Sequence, residues 1–245
     1  MRLLKKTLKW AAALFFCSTI LAVAAYRYLP VWVTPLMLGR AVDRVVAGES
    51  VRWHHTWVPI GEMSRHLPVA AMAAEDQRFL LHSGFDFGAI RSAAIRNSRG
   101  GKVYGASTIT QQTVKNVFLW QGRSWVRKGL EAYFTVLVEL MWSKQRIMEC
   151  YLNSIEMGPA IYGAQAVAEH HFGKDAKDLT RAECALIAAT LPNPLKYSSA
   201  RPSGYMHMRQ KQIEGQMRFI PSFPKEGEEY DPSTASGGVY RRKGK

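Results

Sequence analysis

Cysteine is scarce, with three in 245 residues, and Cys17 lies inside an N-terminal apolar run. So few thiols exclude a disulfide framework and any cysteine-rich zinc module. Cys150 and Cys184 are left either to pair in an oxidising compartment or, the preferred account, to remain two buried free thiols. Acidic residues are also short. Lys and Arg number 33 against 19 Asp and Glu, an excess of 14, which predicts an anionic partner: nucleic acid, a membrane surface or a phosphate-bearing substrate. No internal repeat and no run of alternating strands is found, which leaves a mainly α fold. At 245 residues one substantial domain is expected, with a core large enough to fold without disulfides.

What is present begins with a membrane signature. Arg2, Lys5, Lys6 and Lys9 precede Trp10 to Tyr26, seventeen residues without a formal charge. That is the short end of what crosses a bilayer, roughly 17 to 25 residues. Arg27 can snorkel, and Tyr26, Tyr28 and Trp32 resemble an interfacial aromatic belt. The basic flank predicts a cytoplasmic N-terminus over 1–9, a single-pass anchor over 10–29, and everything after residue 30 on the far side. Ala22-Val23-Ala24 also fits a signal-peptide cleavage site; a retained anchor is favoured because the apolar run continues through it. Residues 30–50 read as a linker and an amphipathic entry helix, and 51–59 as a short strand or extended connection. The folded, mainly α unit is expected over 40–220. Residues 221–245, rich in Gly, Ser, Glu and Lys, read as a disordered tail.

The stretch Glu75 to Gly84 organises the rest. Pro68 is placed to start a helix, the alanines through Ala74 favour it, and Gly84 offers a C-terminal stop. On such a helix Glu75, Phe79 and His82 fall at i, i+4 and i+7 and share a face. An apolar face would partly desolvate Glu75, raise its pKa and make it a stronger base once ionised. Taken alone, the stretch reads more simply as a surface Glu-Asp pair at the edge of a core helix.

Four further stretches change the balance. Gly105 to Asn116 follows a Gly-rich loop, and Thr108 with Gln111 has capping-box spacing that starts a helix in a poor helix-forming run. Gln111 and Lys115 then lie one turn apart, as a polar wall for sugar hydroxyls and a phosphate or as an ordinary surface helix. Ser124 caps a second helix on which Arg127, Lys128 and Glu131 share a face. One exposed Arg-Glu pair is worth only tenths of a kcal/mol, but Lys115, Arg123, Arg127 and Lys128 crowded around Glu131 call for an anion among them. Glu149, Tyr151, Asn153 and Glu156 form a polar seam on a buried helix and read as support. Thr180 and Glu183 cap an apolar core helix ended by Pro192 and Pro194.

Together, in this order, Glu-Asp-x-x-Phe-x-x-His-x-Gly, Gly-x-Ser-Thr-Ile-Thr-Gln-Gln, Arg-Lys-x-x-Glu and Tyr-Leu-Asn resemble the peptidoglycan glycosyltransferase (transglycosylase) family, glycosyltransferase family 51. The resemblance covers roughly residues 50–210. It implies a lysozyme-like, two-lobed helical domain that polymerises lipid II into β-1,4-linked glycan strands and releases undecaprenyl pyrophosphate. No transpeptidase domain follows, so the monofunctional form is expected. Ala160 stands where glycine is expected.

The resemblance also implies roles. Glu75 is the catalytic base and Glu131 the second catalytic carboxylate, orienting the cations or coordinating a divalent ion, Mg2+ or Mn2+, that bridges the phosphates. No cofactor is required, and no closely spaced ligand set marks a dedicated metal site. Asp76, Phe79, His82, Ser107, Thr108, Gln111, Gln112, Lys115, Asn116, Arg123, Arg127 and Lys128 form the expected substrate-binding set, with Asp76 supporting the base or positioning the acceptor and some of Ser107, Thr108, Gln111, Gln112 and Asn116 holding the loop. Phe118, Leu119, Trp120 and Trp125 either dip into the bilayer or are core aromatics. The expected partners are lipid II, the growing lipid-linked strand, the cytoplasmic membrane and cell-wall synthesis proteins. The expected location is the inner membrane, with the catalytic domain periplasmic. A lytic transglycosylase or lysozyme is the nearest rival. A tethered protein binding nucleic acid or anionic lipid is the second, and nucleic acid is set aside because many of the cations group beside motif carboxylates.

Overall fold

A computed structural model describes residues 2–100, 105–122, 124–224 and 228. Arg123 and nearly all of the expected tail lie outside the described residues. No glycine or proline interrupts the first helix, α1 (Arg2–Tyr26), which is long and apolar enough to cross a membrane and is almost wholly exposed. Lys5, Lys6 and Lys9 belong to this same helix, and it ends at Tyr26, short of the expected boundary at 29.

Thr34 caps α2 (Pro35–Val46) by accepting the Met37 N–H at 3.2 Å, with Pro35 at a first-turn position that suits its fixed φ. A small three-stranded sheet follows, ordered β1 (His54–His55), β3 (Ile161–Tyr162), β2 (Glu156–Gly158); β1 runs parallel to β3 and β2 antiparallel.

The core is helical. α3 (His66–Glu75) is buried from Leu67 to Ala73 and packs on α9 (Arg181–Thr190) and α10 (Gly204–Gln216). α5 (Ile109–Phe118) lies between α6 (Trp125–Met141) and α7 (Lys144–Ser154). The short α8 (Ala164–Val167) runs into a π turn. By contrast α4 (Phe87–Ser98) buries no residue and stands off this body. Cys150 and Cys184 are free and buried, and burial pushes each thiol up to about 12.

The helix expected from Pro68 to Gly84 is shorter. It starts at His66, and Asp76 leaves it at φ −154°, ψ 81°. The cause is distant in sequence: Asp76 turns its carboxylate to the Ile109 N–H, 3.0 Å away at the start of α5. A single 3-10 turn spans Phe79–Leu81, so Glu75, Phe79 and His82 do not share a helical face. Nor does Gly84 stop a helix. At φ +85° it passes so close to α6 that a Cβ would meet the Thr135 methyl at 2.6 Å. Ala160, the one non-glycine at positive φ among the described residues (60°), occupies the position where glycine was expected.

The anchor is tied into the domain. Trp142 donates Nε1–H to the Val23 carbonyl at 2.8 Å, and Arg146 donates to the carbonyls of Tyr26 and Leu29. The Thr19 and Tyr133 hydroxyls meet at 2.8 Å. Phe118 stacks on Phe134 and Leu119 is buried, whereas Trp120 and Trp125 are exposed. The aromatic run is thus divided between core and surface.

Candidate active site

Glu75 is the last residue of α3, partly buried where the chain turns away. Gln112 on α5 donates Nε2–H to Glu75 Oε2 at 3.0 Å, and Tyr151 on α7 donates its hydroxyl to Gln112 Oε1 at 3.4 Å. Burial raises the Glu75 pKa. The Gln112 bond and the charges of Arg209 (on α10) and Lys115 oppose that shift, and Asp76 reinforces it. The net effect is a carboxylate held above its ordinary range, suited to taking a proton.

Its neighbour does different work. Asp76 is buried and bonded to Ile109 N–H, and both its oxygens lie 3.0 Å from His82 Nε2. Lys144 donates to the His82 carbonyl at 2.7 Å and to Glu139 at 2.8 Å. Phe79 is fully buried beneath this network, with Lys144 Nζ 4.6 Å from its ring centroid. Asp76, Phe79 and His82 therefore brace the site from within, and of the three Asp76 also lines the groove beside Glu75. Thr108 and Gln111 do form the capping box. That duty engages Gln111 Oε1 and the Thr108 hydroxyl, which also donates to Gly84 O at 2.7 Å. Both are buried, as is Asn116, and of these three Thr108 lines the groove beside Glu75.

The cationic cluster is local. Ser124 accepts the Arg127 N–H at 3.0 Å and starts α6. Arg127 then meets Glu131 at 2.8 Å and Lys128 meets its other oxygen at 2.5 Å. Glu131 is 3% exposed, and each of its oxygens meets one cation. It therefore sits at the centre of the cation cluster, where a second carboxylate was expected. Among the described residues no group of three or more His, Cys, Asp and Glu gathers as a metal site. Arg127 Nε is buried without a partner, an N–H left for an acceptor. Burial lowers the Lys115 pKa; Glu131 raises it, Arg127 and Lys128 lower it further, and Glu75 raises it. One ammonium thus feels both carboxylates.

A groove of about 660 Å³ opens beside Glu75. Its walls include Arg78, Ser92 and Arg96 on one side and Ser107 and Thr108 on the other. Lys115 and Glu131 are not among its lining residues, although Lys115 feels the charge of Glu75. The α4 wall and Arg209 escaped sequence reasoning. Arg209 is one basic residue among many on a C-terminal helix, and nothing local marks it. Tyr151 was visible only as part of a supporting seam.

A basic residue cluster beside a raised carboxylate, in a mainly helical body carrying an apolar N-terminal helix, defines a class by its chemistry: a site with one candidate base and a nest of cations for an anionic group. Comparison with known proteins narrows it. The transglycosylase family model matches residues 43–218. A biosynthetic peptidoglycan transglycosylase of Bacteroides thetaiotaomicron is 56% identical over 224 residues, covering 90% of both chains. One from Pseudomonas putida is 50% identical, covering 91% of this chain and 93% of its own. One from Bdellovibrio bacteriovorus is 49% identical, covering 91% and 88%. The chain belongs to the transglycosylase family, an enzyme family with a lysozyme-like fold.

Proposed function

We propose that this protein is a peptidoglycan glycosyltransferase that polymerises lipid II into β-1,4-linked glycan strands. The observation that carries the reading is Glu75, a carboxylate raised by burial, sharing Lys115 with the Arg127–Lys128–Glu131 cluster. Glu75 takes the proton from the acceptor 4-hydroxyl. That oxygen attacks C1 of the donor sugar, the C1–O bond to pyrophosphate breaks with inversion from α to β, and undecaprenyl pyrophosphate departs with the bonding electrons. The leaving group needs positive charge rather than a proton. Lys115, Arg127 and Lys128 supply it, with Arg127 Nε–H as a ready donor. No metal is required; were Mg2+ or Mn2+ to take part, Glu131 is the carboxylate that would hold it, and the ion would add positive charge for the leaving group.

The substrate is lipid-linked, which suits a chain whose apolar α1 provides membrane anchoring. On this reading α1 crosses the inner membrane once, its N-terminus is cytoplasmic and the catalytic domain is periplasmic, where cell-wall synthesis proteins are the natural partners. The test is purified protein with labelled lipid II, the products separated on a gel. Ladders of polymer are expected. Unchanged lipid II, together with muropeptides released from purified sacculi, would replace this reading with the lytic one.

A further inference from the structure

The Gln112 amide has two ends of nearly equal shape and opposite chemistry: its oxygen accepts and its nitrogen donates. Glu75 Oε2 lies 3.0 Å from Nε2, and Tyr151 donates to Oε1 at 3.4 Å. Tyr151 is fully buried on α7, so its hydroxyl cannot turn to bulk water. Turning the amide over would set an oxygen against an ionised Glu75 and strand the Tyr151 hydroxyl hydrogen, both costly in a buried site. We propose that Tyr151, acting through Gln112, is a positioning residue that commits the amide N–H to Glu75 and so keeps the base ionised and aimed.

This inference rests on the reading of Glu75 as base and moves Gln112 from the sugar-binding wall to the base itself. The groups around Glu75 support it. Asp76 at the end of α3 works against ionisation, while Lys115 on α5 and Arg209 on α10 favour it from a distance. Gln112 gives the direct bond to the carboxylate. Tyr151 is itself held well above its ordinary pKa by burial, with Glu75 and Asp76 adding to the shift. It therefore remains a donor across the working range.

The experiment measures kcat/KM for lipid II polymerisation against pH with the full-length protein. The acid limb of that profile reports the base in the free enzyme. Gln112→Met should move the limb to higher pH by roughly one unit. Tyr151→Phe, which keeps the ring and its packing, should move it the same way by less. The double variant should stay where Gln112→Met alone puts it, because Tyr151 acts only through Gln112. Gln112→Glu, which adds a like charge, should move it furthest and serves if Gln112→Met does not fold. A lower plateau with an unmoved limb in these variants would overturn the relay, as would a double variant showing the sum of the two single shifts. Absence of strand synthesis by the unaltered protein would instead overturn the function reading.

Discussion

Glu75 is a residue at which activity and stability pull in opposite directions. Its folded pKa is raised by burial, so the native state holds this proton at pH values where the unfolded chain has released it. Stability is therefore lost as pH climbs from the unfolded value, about 4.3, through the raised one, and the loss persists at neutral pH. Glu75→Gln removes that charge and keeps an oxygen to accept from Gln112. The variant should lose about 10² to 10⁴ in polymerisation rate while melting higher than the parent at neutral pH. The melting advantage should fade below pH ~4, and thermal scans across pH read it directly. Lys115 gives the alkaline counterpart. Its pKa is lowered chiefly by burial, so the alkaline limb should fall earlier than for an ordinary lysine. Lys115→Arg, which stays charged, should flatten that limb in the same pH profile. A limb that stays in place would detach it from Lys115.

At the scale of elements, what was legible in the sequence was what is local. The Thr108–Gln111 and Thr180–Glu183 boxes, the Ser124 cap and the Arg127–Lys128–Glu131 face depend on spacings of three or four residues, and all form. The end of α3 was not legible, because Asp76 is drawn out of the helix by a backbone N–H from another helix. The Glu75–Gln112–Tyr151 chain joins three helices that no periodicity connects, and the α4 wall of the groove carries no buried residue to give it an apolar face. Two element-level predictions follow from caps and turns. Thr108→Ala removes both the cap of α5 and its bond to Gly84 O. It should cost about 1–2 kcal/mol, a fall in Tm of roughly 2–8 °C for a domain this size. Ala160→Gly should do the reverse. The left-handed conformation costs an L-residue roughly 1–2 kcal/mol, more than the ~0.5–1 kcal/mol of backbone freedom glycine gives up. A small rise in Tm is expected, and a fall would mean the turn is shaped by contacts other than φ.

At the scale of the whole molecule, anchor and catalytic body are one packed object. Trp142 and Arg146 donate to carbonyls at the C-terminal end of α1 and just beyond it, so the domain is held against the helix rather than hung from a linker. Thr19, bonded to Tyr133 of α6, lies about 10 Å along the helix from Tyr26 at 1.5 Å per residue. If Tyr26 marks the outer edge of the hydrocarbon, the middle of α6 sits below that edge. The exposed apolar side chains there agree: Val136 is 49% and Leu140 78% exposed, a costly arrangement in water and a favourable one in lipid. Depth can be measured with a nitroxide at Val136→Cys in a Cys17→Ala background. The two buried thiols, each pushed up to about 12, stay protonated and resist labelling. In vesicles the label should collide with dissolved oxygen more than with a water-soluble nickel chelate, whereas one at Ser92→Cys, on the groove-facing α4, should show the opposite. Equal access to nickel at both positions would place α6 in water and leave α1 as the membrane contact.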